Sequence, residues 1–194
     1  MRAPGRPKLS DDSPPRVFDP ARSDRLRDPA RLERLRVTEV VQRLVTPSAR
    51  VILDVGAGTG VFAEAFLKAG ALEVYGLDHS PVMLAALAEH APAAKPLLAP
   101  ADAVPLEAGS VDLAFAGLVL HEVPDPQAAL VEWRRVARRG VAVLEWPYRE
   151  GKSGPPLAHR LQPQDVQAWG RQGGLGEATL LDLGEVVLYE WNLT

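Results

Sequence analysis

The stretch "VILDVGAGTG", residues 51–60, decides the fold. Val51 to Val55 form an apolar run interrupted only by Asp54, the pattern of a strand buried on both faces that ends near an acid. Gly56, Gly58 and Gly60 follow, allowing a tight turn and close approach of a backbone or ligand. "VFAEAFLKAG", residues 61–70, then reads as a helix closed by Gly70. A strand, a glycine turn and a helix in succession leave the helix's first N–H groups unpaired and pointing at whatever binds there.

Outward from this unit the alternation repeats. "LEVYGLD" (72–78) is a strand, and "HSPVMLAALAEH" (79–90) is a helix with Ser80 as cap and Pro81 in its first turn. "PLLAPAD" (96–102) and "SVDLAFAGLVL" (110–120) are strands. "DPQAALVEWRRVARRG" (125–140) is a helix capped by Asp125, started by Pro126 and stopped by Gly140, and "VAVLEWPY" (141–148) is a fifth strand. Upstream, Leu32, Leu35, Val37, Val40, Val41, Leu44 and Val45 predict one helix, ended by Thr46 and Pro47. Downstream, a Gly/Pro-rich loop precedes a short helix in "QPQDVQAWGRQGG" (162–174). Two last runs, 178–184 and 186–194, meet around Gly184 and Glu185 as a hairpin. Alternating β and α units imply an α/β fold: a doubly wound, mostly parallel seven-stranded sheet with a C-terminal antiparallel hairpin. Residues 29–194 form one domain in this reading, after a flexible basic leader, 1–28, with the stretch 17–36 as a possible lid.

The chain has 194 residues, 46% of them hydrophobic, enough for one sizeable core. It has no cysteine, which excludes disulfides, thiolate metal sites and cysteine nucleophiles. No metal site is predicted. No apolar run approaches the roughly 20 residues of a membrane span, and the first 15 residues lack the apolar centre of a secretion signal. A cytoplasmic protein without a membrane partner is expected. The net charge of -3 combines a basic N-terminal segment with an acidic remainder, so no basic stripe for nucleic acid is expected on the body.

In an open parallel sheet, ligands bind beyond the carboxyl ends of the strands, where strand order reverses. A dinucleotide fingerprint beginning at Gly56 or Gly58 would require glycine at 61 or 63, which are Val61 and Ala63. Asp54 repels phosphate but suits an ammonium group, which favours a ligand with an amino-acid head. Asp78, at the end of the second strand, can accept ribose hydroxyls in either a dinucleotide or an adenosyl site. Asp102, closing the third, lies in reach of an adenine amine. Three acids closing three successive strands behind one glycine turn form the candidate site.

The segments "LDVGAGTG", "VYGLDHSPVMLAAL", "PADAVPLEAGSVDLAFAGLVLHEV" and "ALVEWRRVARRGVAVLEWPY" resemble, in order and spacing, the motifs of class I S-adenosylmethionine-dependent methyltransferases. The similarity covers about residues 35–150 and is greatest to the small-molecule group that includes quinone-biosynthesis enzymes. It implies S-adenosyl-L-methionine as cofactor. Asp54, Gly56 and Gly58 would hold the methionine end, Asp78 the ribose, Met83 would pack near the adenosyl group, and Asp102 with Ala103 would read the adenine. Ala57, Gly60 and His79 complete the implied cofactor set.

Methyl transfer needs alignment and exclusion of water more than a covalent residue. His121 and Glu122, at the tip of the fourth strand, are the candidate general bases. Trp146 and Tyr148 follow the fifth strand at the same end, and His159 and Arg160 fall near the expected pocket mouth. Trp133 reads as core, with Arg134, Arg135, Arg138 and Arg139 on the solvent face of its helix. The short connection after the fifth strand favours a small-molecule methyl acceptor. Two alternatives stay open on the residues alone: an NAD-linked oxidoreductase in the same fold, and a regulatory protein that holds the adenosyl ligand without turnover. Neither the acceptor nor the oligomeric state is written in the sequence.

Overall fold

The computed structural model describes residues 25–193. Most of the expected leader, residues 1–24, lies outside the described residues. The elements run α1 (Pro29–Arg34), α2 (Val37–Leu44), β1 (Val51–Val55), α3 (Val61–Lys68), β2 (Glu73–Asp78), α4 (Pro81–His90), β3 (Lys95–Leu98), β4 (Val111–Gly117), α5 (Pro126–Val136), β5 (Ala137–Glu145), α6 (Pro163–Gln172), β6 (Thr179–Asp182) and β7 (Val187–Asn192). Short 3-10 turns at Leu120–Glu122 and Leu157–His159 follow β4 and β5.

The seven strands form one sheet in the order β3-β2-β1-β4-β5-β7-β6. β1 to β5 pair in parallel, and β7 is antiparallel to both β5 and β6. The doubly wound sheet and the C-terminal hairpin are as the alternation predicts. Strand order reverses between β1 and β4, so the tips of these neighbours, 56–60 and 118–124, open the crevice where ligands bind in such sheets.

Alternate residues along the central strands fill two cores. On one face Ile52, Leu113, Phe115, Ala142 and Leu144 meet α2, α3 and α4, with Phe115 between Phe62 and Phe66 at ring-centroid distances of 4.8 and 5.2 Å. On the other, Leu53, Val55, Ala114, Ala116, Val141 and Val143 meet α5 and α6 through Leu130, Trp133 and Val166. Each fully buried Leu, Val or Phe contributes roughly 1.5–3 kcal/mol by leaving water, so the two-sided sheet is the main source of stability.

Two local expectations are corrected. The single helix over 32–45 is two, broken at Arg36, whose φ of 54° is left-handed. Leu35 and Val37 are both buried, yet residues two apart point about 200° apart on one helix, so the chain must break to bury them together. Val37, Val40, Val41 and Leu44 then share a face at 3.6-residue spacing. The second correction is at α5, which ends at Val136; "ARRG" opens β5 instead of closing the helix. Asp112 of β4 explains this: it pairs with Arg138 at 2.8 Å and accepts the N–H groups of Arg50 and Val51, fastening the start of β5 to β4 and β1. Arg138 and Arg139 therefore lie on the sheet and not on the helix face. Among the described residues no helix is long and apolar enough to cross a membrane.

Candidate active site

The glycine turn forms as its residues require. Gly56, Gly58 and Gly60 have φ of 63°, 54° and 79°, a region that other residues enter only at a cost. At Gly56 a side chain would overlap Val119 on the neighbouring β4 tip, so the two strand tips meet where only a bare backbone fits. Gly60 precedes the first residue of α3, and its close neighbours are Leu87 of α4 and Ala91 just after that helix rather than β1. Ala57 donates its N–H to the carbonyl of Leu77 at 2.9 Å, tying the turn to β2.

Asp54 lies under this turn, 1% exposed, with its Oδ2 buried and unpartnered. Burial raises its carboxyl to about 8; a bond from the Ala63 N–H opposes the rise and the charge of Asp78 adds to it. A buried carboxylate oxygen without a donor is costly, and a ligand ammonium group would satisfy it. Thr59, which sequence reasoning passed over, is also buried with an unpartnered hydroxyl. Asp78 accepts the N–H of Gly58 on Oδ2 and that of Ser80 on Oδ1, both at 2.9 Å, and so holds the turn and the start of α4 in fixed relation. Each of its oxygens retains a further lone pair. His79 is exposed beside it, and Met83 is 4% exposed in the first turn of α4, its N–H capped by Ser80. These observations fit an adenosyl amino acid.

Asp102 and Ala103 are exposed on a turn four to five residues beyond the end of β3, not on the strand itself. That turn is fixed from α5. Trp133 donates its indole N–H to the Ala101 carbonyl at 2.7 Å, Glu132 accepts the Val104 N–H, and Arg135 donates to the carbonyls of Val104 and Leu106. Trp133 is core as expected. Arg135, expected on a solvent face, instead binds the loop that carries Asp102.

At the tip of β4, Leu118 adopts φ of 62° and the chain turns through Leu120–Glu122. His121 points inward with its side chain 9% exposed, and Nδ1 lies 2.9 and 3.0 Å from the two carboxylate oxygens of Glu145. Glu145 ends β5, is 2% exposed, and also accepts the N–H groups of His121 and Trp146. Burial lowers the His121 imidazole, but the charge and hydrogen bonds of Glu145, aided by Glu122, overcome this and hold it above its ordinary value. Glu122 sits at the rim, side chain 39% exposed, with Oε1 3.8 Å from His121 Nε2. Partial burial raises its carboxyl; His121 opposes, while Glu145 and Asp78 add. Glu145 was invisible in sequence, a lone acid inside the apolar run "VAVLEWPY".

Arg160 is buried and donates to the carbonyls of Pro147, Arg149, Ser153 and Pro155, stitching the loop after β5 together, with its guanidinium 5.9 Å from the Trp146 ring. Its donors are thus engaged by backbone and not held out for an acidic ligand. Tyr148 is exposed beyond it. The N-terminal approach also reaches the site: Arg27 donates to the Thr59 carbonyl at 3.0 Å and pairs with Glu64 of α3. A cavity of about 670 Å³ between the α1–α2 pair and α3 is lined by Arg27, Val37, Val61 and Glu64 and lies beside the strand-tip site rather than within it.

Residues 53–144 match a family model described as a methyltransferase domain. Over 117 residues the chain is 36% identical to an uncharacterized methyltransferase of Mycobacterium tuberculosis, covering 60% of this chain and 47% of that protein. Over 93 residues it is 37% identical to the malonyl-[acyl-carrier protein] O-methyltransferase of Serratia marcescens, covering 48% and 36%. A crystal structure of an S-adenosylmethionine-dependent methyltransferase from Aquifex aeolicus superposes with a TM-score of 0.81 at 23% identity, over 92% of this chain and all of that one. The matched region spans about half the length of the curated relatives, or less. Residues 53–144 thus match a methyltransferase domain, on a fold shared with S-adenosylmethionine-dependent methyltransferases. S-adenosylmethionine is the cofactor that this similarity implies, in place of a nicotinamide dinucleotide.

Proposed function

We propose that the protein transfers the methyl group of S-adenosylmethionine to a small-molecule acceptor. The observation that carries this is the unpartnered, buried Asp54 oxygen beneath a glycine turn tethered to Asp78, an arrangement that suits a cationic amino acid joined to a ribose. When bound, the cofactor supplies a methyl group on a positively charged sulfur. In this reading Asp54 holds the ammonium group and the backbone of Gly56, Ala57, Gly58 and Gly60 leaves room for the methionine end. Asp78 accepts the ribose hydroxyls with its remaining lone pairs, His79 and Met83 border the adenosyl group, and Asp102 with Ala103 meets the adenine. His121 and Glu122 stand at the adjacent β4 tip as the groups able to take a proton from the acceptor.

The small acceptor is supported by the compact connection between β5 and α6, which is occupied by its own Arg160-centred network. The contact of Arg27 with the glycine turn supports a lid role for the N-terminal segment. Calorimetric titration with S-adenosylhomocysteine tests the cofactor site: saturable binding is expected, and no heat above background at millimolar ligand overturns the proposal. Incubation with methyl-labelled cofactor and a fractionated cell extract then identifies the fraction that gains the label.

A further inference from the structure

His121 and Glu145 are 24 residues apart and meet only because β4 and β5 are neighbours in the sheet. The Glu145 carboxylate faces Nδ1 with both oxygens, at 3.0 and 2.9 Å, and also accepts the backbone N–H of His121 at 3.1 Å and of Trp146 at 3.2 Å. A bare ring nitrogen set against two carboxylate oxygens would be repelled, so Nδ1 must carry a proton. In the neutral ring the proton-free nitrogen is then Nε2. That atom faces Glu122 at the rim, which in turn senses the charges of Asp78 and His79 on the cofactor side.

From this geometry we propose that Glu145 is a positioning residue: it locks His121 as the Nδ1–H tautomer and presents Nε2 as the proton acceptor for a methyl acceptor whose reacting oxygen or nitrogen carries a dissociable proton. The inference rests on the methyltransferase reading above and narrows its substrate class. One proton passes from the acceptor atom to Nε2, producing an imidazolium paired with the Glu145 carboxylate. The electron pair left on the acceptor atom is the one that methylation requires. An acceptor carboxylate, already ionised at neutral pH, gains nothing from such a base.

The charged groups facing the dyad come from three sides. Glu122, from the same turn, supports the imidazolium together with Glu145, and Arg160, from the loop after β5, opposes it. Tyr189 of β7 faces Glu145, and its hydroxyl is pushed up to about 12 by burial and by that carboxylate, so it stays neutral over the working range. Loss of Glu145 therefore leaves Glu122 as the carboxylate supporting the charged imidazole against burial and Arg160.

The test is long-range proton–nitrogen NMR of the imidazoles in the uniformly labelled, ligand-free full chain between about pH 5.5 and 9.5. The four histidines are separable, and His121 is assigned by the signal that His121→Gln removes. The expected result is a neutral His121 protonated on Nδ1, with a midpoint above about 6.5. In Glu145→Gln the midpoint falls by about one to three units, the usual reach of a neighbouring opposite charge. An Nε2–H tautomer in the wild-type protein overturns the proposal, as does a midpoint unmoved in Glu145→Gln. Should that variant not fold, the wild-type tautomer decides alone. The wrong tautomer with binding of S-adenosylhomocysteine and methyl transfer intact removes the dyad and leaves the methyltransferase reading standing. The stated tautomer without any such binding removes the reading.

Discussion

Asp54→Asn separates what the site needs from what the fold tolerates. The carboxyl is raised from an ordinary 3.8 to about 8 by burial under the glycine turn. A group that binds its proton more tightly when folded adds stability at low pH and loses it as pH rises. The unfolded chain gives up the proton near 3.8 and the folded one only near 8, so stability declines across that window. The steepest slope for one proton is roughly 1.4 kcal/mol per pH unit, and about four units cap the total at about 6 kcal/mol. Asn cannot ionise, keeps an oxygen for the Ala63 N–H, and leaves an amide donor where Oδ2 has no partner, at roughly 1–3 kcal/mol. Absolute stabilities at one pH therefore mix two effects. The difference in slope isolates the first.

The assay is urea unfolding of both proteins at intervals from pH 5 to 8. His121 also contributes a falling slope, since its folded value is raised and its stabilisation is lost as pH passes upward through that value. It is present in both proteins and cancels. The wild-type curve is expected to fall more steeply than that of Asp54→Asn by up to one proton. An ammonium group beside Asp54 favours its ionised form, so S-adenosylhomocysteine should bind more tightly at pH 8 than at 6 and release up to one proton, read as heat that depends on the buffer. Parallel stability curves for the two proteins refute the burial argument. Equal affinity in the two proteins across this range refutes the placing of the ammonium group.

Gly58→Ala, where the nearest side-chain atom is Leu26 Cδ1 at 3.6 Å, should cost only the left-handed backbone, about 1–2 kcal/mol in thermal unfolding. Gly56→Ala should cost about 1–3 kcal/mol more because it overlaps Val119, and adding Val119→Ala should recover only that excess; equal costs at 56 and 58 contradict the tip contact. Asp78→Ala removes the acceptor of the Gly58 and Ser80 N–H groups and should weaken S-adenosylhomocysteine binding by tenfold or more in calorimetry, about 1–3 kcal/mol; unchanged affinity takes Asp78 out of the site. Gly140→Ala brings a methyl 2.9 Å from the Trp191 carbonyl oxygen and should destabilise by about 1–3 kcal/mol in urea unfolding, whereas a helix-stop role would predict a gain or no change.

What the sequence made legible is local. The strand, glycine turn and helix of 51–68 lie within one short window, and the spacing of acids at 54 and 78 follows from one βαβ repeat, so periodicity and turn chemistry reveal both. The break at Arg36 went unread, although the two-residue step from Leu35 to Val37 fits no single helical face. Arginines at 138 and 139 suit a helix C-terminus as well as a strand, and the choice was made by Asp112, which lies in β4 and only becomes a neighbour in three dimensions. Glu145 was hidden for the same reason. Its meaning depends on His121, and nothing near it in the chain announces a partner.

The same distinction explains how β5 finds its phase. A strand covered on both faces gains nearly the same apolar burial in either of two registers, because Val141 and Val143 would suit one core as well as Ala142 and Leu144 suit the other. The register against β4 shifts between Val111 and Leu113, where one more residue of β5 is accommodated, and from there Gly117 pairs with Leu144. A slip of one would bring a side-chain-bearing residue to the place where Gly140 meets the Trp191 backbone. It would also turn the Glu145 carboxylate from His121 into the core that holds Leu144 and Leu188, at a cost of several kcal/mol for an unpaired buried charge. Hydrophobicity thus builds the strand, while a glycine and a carboxylate select its register, and the carboxylate that selects it is the one that orients the histidine.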